Sequence, residues 1–220
     1  HSSTKTGMLP GSAVYVGEHS PQTTRIIAHV YDNDSYQQYK SPKISQISSA
    51  LNANKQVWID VDGLADAQEI SHFCTTFAIH PLIIEDVLHT GQRPKLDISG
   101  DAIFIVFKLL SAEEDHLTYH SEQFSLVRNK NLLFTFRESN CYNFSLLYDR
   151  LNSPHSLLRE QGIDYLTYLI MDSVVDNYLQ LVEEAETALT DIEELLIHSP
   201  EKVSLNTLYT IKRRNMTLRK

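Results

Sequence analysis

Up to about residue 142, apolar and polar positions change over in short runs, and beyond that they settle into steps of three and four. The short runs predict strands at Ala13–Val16, Arg25–Tyr31, Val57–Val61, Lys95–Ile98, Ala102–Leu110, Leu117–Arg128 and Asn131–Arg137. Each is rich in β-branched or aromatic residues and is bounded by Gly, Pro, Asn or Asp. Ser99-Gly100-Asp101 and Asn129-Lys130-Asn131 supply tight turns, so the flanking strands are expected to form antiparallel hairpins. Helices are expected over Ile44–Leu51, over about Asp66–Ala78, and from Pro81 to Leu88. Pro81 suits a first helical turn, whose amide has no partner inside the helix. A mixed sheet between helical layers, a three-layer α/β/α sandwich, accommodates this order best.

From about Asn143 the pattern is helical. Apolar residues recur at 163, 166, 170, 174, 178, 181, 185, 189, 192 and 196, which predicts one long amphipathic helix with a single buried stripe. Its opposite face carries Asp164, Asp172, Asp176, Glu183, Glu184, Glu186, Asp191, Glu193 and Glu194, and no Lys or Arg occurs from Glu160 to Glu201. Ser199-Pro200 ends this helix and opens another that is expected to run to Lys220. That last helix shows no stop signal, and the chain is expected to continue beyond it. The expected organisation is an α/β domain over 1–142 and a helical region over 143–220.

Composition narrows the function classes. The net charge of −9 on 220 residues disfavours nucleic acid as a partner, because phosphate binding needs a basic face. The longest apolar run, Ala102–Phe107, is far short of the roughly eighteen residues that span a bilayer, so the chain as given is expected to be soluble. Cys74 and Cys141 lie in different elements and form no metal-ligand pair of the usual spacing. A reducing, cytoplasmic setting is expected. The ten histidines are scattered, and surface or capping roles are the default for them.

Three features could carry chemistry. Asp60-Val61-Asp62-Gly63 ends a strand, as an Asp-x-Asp does in Mg²⁺-dependent phosphatases of the haloacid-dehalogenase type. A strand-end turn explains the same residues, and the later Lys and acidic pair that such a phosphatase needs are not evident. Glu85-Asp86 lies within a helix, where adjacent carboxylates point about 100° apart. Alone they chelate poorly, although each can offer one oxygen to a hard cation shared with another segment or subunit; an exposed acidic turn is the plainer alternative. The acidic helix is the third feature, and as a bare charge run it reads as a solvated face whose repulsion cations would relieve.

Trp58-Ile-Asp-Val-Asp-Gly63 is followed by His80-Pro-Leu-Ile-Ile-Glu-Asp-Val-Leu-His-Thr-Gly-Gln-Arg-Pro-Lys95. Together these resemble the cytoplasmic domain of CorA magnesium and cobalt transporters. Leu9–Gly17 is similar to that family's opening strand, Ser121–Leu126 to its central strand, and Asp164–Asp172 to the start of its first long helix. The resemblance implies a homopentamer on the cytoplasmic face of the inner membrane, anchored by carboxyl-terminal membrane helices, with the final helix here forming part of a stalk. It also implies regulatory Mg²⁺, with Co²⁺ possible, at intersubunit sites that hold the pore closed. Residue by residue, those sites fall on Glu85, Asp86 and Asp172. A further acidic partner from the stalk and the Gly-Met-Asn selectivity signature lie outside this sequence, so a zinc-transporting relative stays open as an alternative. The resemblance implies a regulatory domain rather than an enzyme, with no catalytic residues and no organic cofactor.

Overall fold

The computed structural model describes residues 13–17, 22–112, 119–139 and 142–218. Seven strands form one mixed sheet: β1 (Arg25–Tyr31), β2 (Tyr36–Lys40), β3 (Gln56–Asp62), β4 (Lys95–Ser99), β5 (Ala102–Ala112), β6 (Tyr119–Asn129) and β7 (Leu132–Arg137). Their order across the sheet is β2-β1-β3-β7-β6-β5-β4. The β3–β7 pair is parallel, whereas β1–β2, β1–β3, β6–β7 and β4–β5 are antiparallel.

Alternation along these strands creates two different faces. Ile26, Ala28 and Val30 of β1, Val57, Ile59 and Val61 of β3, and Leu132, Phe134 and Phe136 of β7 share one face. Burying that face are α1 (Ile44–Asn52), α2 (Ala67–Thr76) and α3 (Pro81–Leu88), through Ile47, Ile70, Phe73, Ile84, Val87 and Leu88. The opposite face presents His29, Trp58, Asp60, Thr135 and Arg137 to α4 (Ser145–Asn152). Phe144 meets the Trp58 ring edge-on at 5.4 Å, and Tyr148 stacks on His29 at 4.4 Å. The three-layer sandwich expected from the sequence is present.

Several expectations need correction. Ala13–Val16 forms no strand; Val16 makes a single parallel bridge to His89. Strand β2 carries the weak pattern Tyr-Gln-Gln-Tyr-Lys and sits at the sheet edge, where pairing with β1 alone sustains it. Residues 117 and 118, Cys141, His1, His19 and the last two residues lie outside the described residues. The helical region is also less continuous than the spacing suggests. α4 stops at Asn152, and Arg159 caps its end by donating from Nε to Leu151 O at 2.6 Å and from Nη2 to Asn152 O at 3.1 Å.

The long helix α5 (Leu157–His198) is broken at Gly162, whose φ of 71° and ψ of −160° are not helical. A side chain there would be strained by the backbone and would approach Gln56 Oε1 to 3.2 Å. Gln56 uses that same oxygen to accept the Ile163 amide at 3.0 Å, satisfying one of the orphan donors where the straight helix restarts.

The chain divides into two compact units: residues 1–108 with 122–170, and 109–121 with 171–220. The first holds most of the sheet, α1 to α4 and the start of α5. In the second, Val174, Leu181 and Ala185 of α5 are buried, and Tyr119 Oη donates to Leu181 O at 3.4 Å. The apolar stripe is therefore covered as far as Ala185, while Leu195, Leu196 and Ile197 stay exposed. A 3-10 turn at Pro200–Lys202 follows, then α6 (Leu205–Leu218). Among the described residues no helix is long and apolar enough to cross a membrane.

Candidate functional site: the acidic end of α3

α3 is short, and both of its ends are fixed. His80 caps the start: its backbone is extended, its Nδ1 accepts the Leu82 amide at 3.1 Å, and Pro81 takes the first helical position. A capping role for this histidine matches the sequence reading. At the other end, the Asp86 carbonyl accepts from the Gln92 side chain and from Gln123 Nε2 at 3.3 Å. Gln92 also donates to His89 O at 3.0 Å, and Gln123 to Val87 O at 3.3 Å. Terminal carbonyls that would otherwise face water are thereby tied to β6 and to the loop before β4.

Ile84, Val87 and Leu88 are turned into the core, which leaves Glu85 and Asp86 on the half-exposed side of the helix. Lys95, the first residue of β4, places Nζ 2.5 Å from Asp86 Oδ2 and 3.6 Å from Asp97 Oδ2. The Lys95 and Asp86 side chains are 33% and 32% exposed. Burial alone would lower the Lys95 pKa. The hydrogen bond and charge of Asp86, with Asp97 behind them, outweigh it and hold the ammonium above the ordinary lysine value. The ammonium also lies 5.3 Å from the centroid of Phe104, a position where ring and cation attract.

Asp172, the third predicted site residue, is exposed on α5 in the second unit. Glu85 and Asp86 belong to the first. Among the described residues, no three His, Cys, Asp or Glu side chains gather into a metal-holding group. Sequence reasoning missed the partners of Asp86. Lys95 stood within the same motif, nine residues further on, but its pairing depends on how the chain turns between the end of α3 and the start of β4.

Asp60, the other chemical candidate, is built into the packing. It is 1% exposed. Its Oδ1 accepts from Thr135 Oγ1 at 2.8 Å; its Oδ2 accepts from Arg137 Nη2 at 2.7 Å and from Tyr148 Oη at 2.7 Å. Burial, reinforced by the Asp60 charge, pushes the Tyr148 phenol well above the usual tyrosine range and keeps it a donor. A nucleophilic carboxylate needs an oxygen that a substrate can reach. Both Asp60 oxygens are engaged and enclosed, so the role that the geometry gives Asp60 is structural. Asp62 accepts from Arg25 at 2.6 Å, and Gly63 takes a φ of 84°, as the strand-end turn requires.

A family model described as "CorA-like Mg2+ transporter protein" matches residues 53–220. The chain belongs to that CorA-like family. It is 28% identical over 218 residues to the cobalt/magnesium transport protein CorA of Thermotoga maritima, covering 99% of this chain and 62% of that protein. The CorA-like chain thus spans less than two thirds of that relative's length. The soluble domain of CorA from Methanocaldococcus jannaschii superimposes with a TM-score of 0.59 at 18% identity, over 78% of this chain and 64% of that one. The ZntB cytoplasmic domain from Vibrio parahaemolyticus gives 0.52 at 11% identity, over 88% and 73%. At those identities the likeness is one of fold, and the same fold serves both CorA and ZntB.

Proposed function

We propose that this CorA-like chain is the cytoplasmic regulatory part of a homo-oligomeric, pentameric divalent-cation transporter, seated at the inner face of the membrane. In this reading Glu85, Asp86 and Asp172 contribute carboxylates to intersubunit sites for Mg²⁺, with Co²⁺ as an alternative occupant, and the helices beyond the sheet belong to the stalk that leads to the pore.

The observation that carries the reading is the state of Asp86. Its carboxylate is half-exposed on a helix end pinned by two glutamines, and one of its oxygens already holds a cation, the Lys95 ammonium at 2.5 Å. The donor set fits a hard ion. Carboxylate oxygens with water in the remaining positions suit Mg²⁺, whereas zinc sites favour His and Cys ligands. Mg²⁺ commonly keeps several waters and takes one or two carboxylates, so a site with few ligands from each copy is chemically reasonable.

Bound there, the ion supplies positive charge between acidic surfaces. This chain's own residues do the rest. Carboxylates of neighbouring copies repel one another when nothing neutralises them, and the copies then separate. Occupancy reports the internal cation concentration and favours the closed arrangement.

The test uses the complete transporter in vesicles with defined internal Mg²⁺. An Asp86→Asn, Asp172→Asn variant is expected to keep taking up Co²⁺ at internal Mg²⁺ that silences the wild type, with half-inhibition moved upward by roughly tenfold or more. An unchanged half-inhibition point would remove these residues from regulation.

A further inference from the structure

We propose that Lys95 is a built-in competitor for the cation at Asp86, so that a divalent ion takes the carboxylate by displacing the Lys95 ammonium onto Asp97. The inference rests on the regulatory reading of Asp86 given above and adds what sets its threshold.

The placement of Lys95 is the first ground. It opens β4 and pairs in register with Val106 of β5, so the root of its side chain is fixed by the sheet. The helix end that bears Asp86 is fixed independently by Gln92 and Gln123. Two rigid supports thus hold ammonium and carboxylate together. The tether gives the ammonium a standing local concentration that any free cation has to overcome.

Asp97 is the second ground. It lies two residues along the same edge strand, on the same side as Lys95, with its Oδ2 3.6 Å from Nζ and its side chain 65% exposed. A displaced ammonium therefore has another carboxylate within a short swing and is not stranded. The two carboxylates differ in solvent exposure, 32% for Asp86 and 65% for Asp97, and Nζ lies nearer the more enclosed one.

The arrangement has a consequence for selectivity. A monovalent ion offers Asp86 no more charge than the lysine already does and loses to the tether. A divalent ion doubles the Coulomb attraction and can displace it. Lys95 thus raises the concentration at which the site fills and screens it against potassium and sodium.

The test follows amide shifts of Ile83–Leu88 in the isotope-labelled 220-residue protein as Mg²⁺ is added, for wild type, Lys95→Met, Lys95→Arg and Asp86→Asn. Lys95→Met is expected to lower the Mg²⁺ half-saturation by about fivefold, the equilibrium worth of one partly exposed ion pair. Lys95→Arg, which keeps the charge, stays close to wild type, and Asp86→Asn abolishes the shifts. Spectra that overlay away from α3 and β4 show each variant to be folded. Equal half-saturation in wild type and Lys95→Met, with Asp86→Asn still abolishing the response, overturns the competitor role and leaves the regulatory reading intact. Shifts that are absent from wild type and Lys95→Met alike, or that persist in Asp86→Asn, overturn the reading of Asp86 and the competitor role with it.

Discussion

Arg137→Met is expected to cost about 3–5 kcal/mol of folding stability, because it leaves the Asp60 carboxylate charged and enclosed without its cation. Asp60 and Arg137 are 1% and 4% exposed, so water cannot take over the lost interaction. Arg137 is held from several sides. It donates to Asp60 at 2.7 Å and to the Tyr142 carbonyl, and its guanidinium lies 4.9 Å from the Phe144 ring centroid. Burial alone would lower the Arg137 pKa; the charges of Asp60 and Asp62 outweigh it and keep the guanidinium firmly protonated. Equilibrium unfolding in urea measures the loss. The Asp60→Asn, Arg137→Met double variant should recover most of it, since neither buried charge remains and Thr135 and Tyr148 can still bond the amide. A loss below about 1 kcal/mol for Arg137→Met would mean that Asp60 reaches solvent.

The second large effect is a loss of stability in mild acid, centred on His29. This ring is fully buried between Trp58 at 4.7 Å and Tyr148 at 4.4 Å. Nδ1 is 2.9 Å from Tyr36 Oη, and Nε2 has no hydrogen-bond partner among the described residues. Desolvation lowers its pKa from 6.5 to about 3. The unfolded chain therefore binds a proton near pH 6.5 that the folded protein refuses until near pH 3. Stability is fully present above pH 6.5 and falls between those values, by about 1.4 kcal/mol per pH unit from this residue alone. Against a typical stability of about 5–15 kcal/mol, that drain reaches a large share by pH 4. His29→Phe keeps an aromatic ring between Trp58 and Tyr148 and removes the proton site. Urea midpoints measured from pH 7 to pH 4 should fall more steeply for wild type than for His29→Phe. Parallel curves would place the acid sensitivity elsewhere.

His29 also marks the limit of what the chain alone reveals. A lone histidine in a strand read as a surface residue, yet alternation puts it on the same face as Trp58 and Asp60, and that face is covered by α4. The cover could not be anticipated, because α4 lies far along the chain and packs through Phe144, Leu147 and Tyr148. Where period and punctuation acted together, the elements were legible: β1, β3, β7, α2 and α3 lie close to their expected places. β2 was missed because an edge strand with exposed Gln37 and Gln38 has no buried side to mark it. The break at Gly162 interrupts a region that reads as helical from about Asn143 onward, although the apolar steps of three and four begin only at Ile163, where the helix restarts. At the candidate site, the motif exposed Glu85 and Asp86 as a pair. Lys95 and Gln92 stood in the same motif without any sign that they fold back on Asp86, and Gln123 comes from another strand altogether.

Regulation through α3 requires that a divalent cation bind at Asp86. Co²⁺ scatters anomalously, and a crystal of the assembled protein grown with Co²⁺ locates it without assumptions. An anomalous peak is expected at coordination distance from an Asp86 carboxylate oxygen, with other oxygen ligands from a neighbouring copy or water, and with Lys95 Nζ moved from its 2.5 Å contact toward Asp97. Ordered Co²⁺ at other positions, with Lys95 still seated on Asp86, would contradict it.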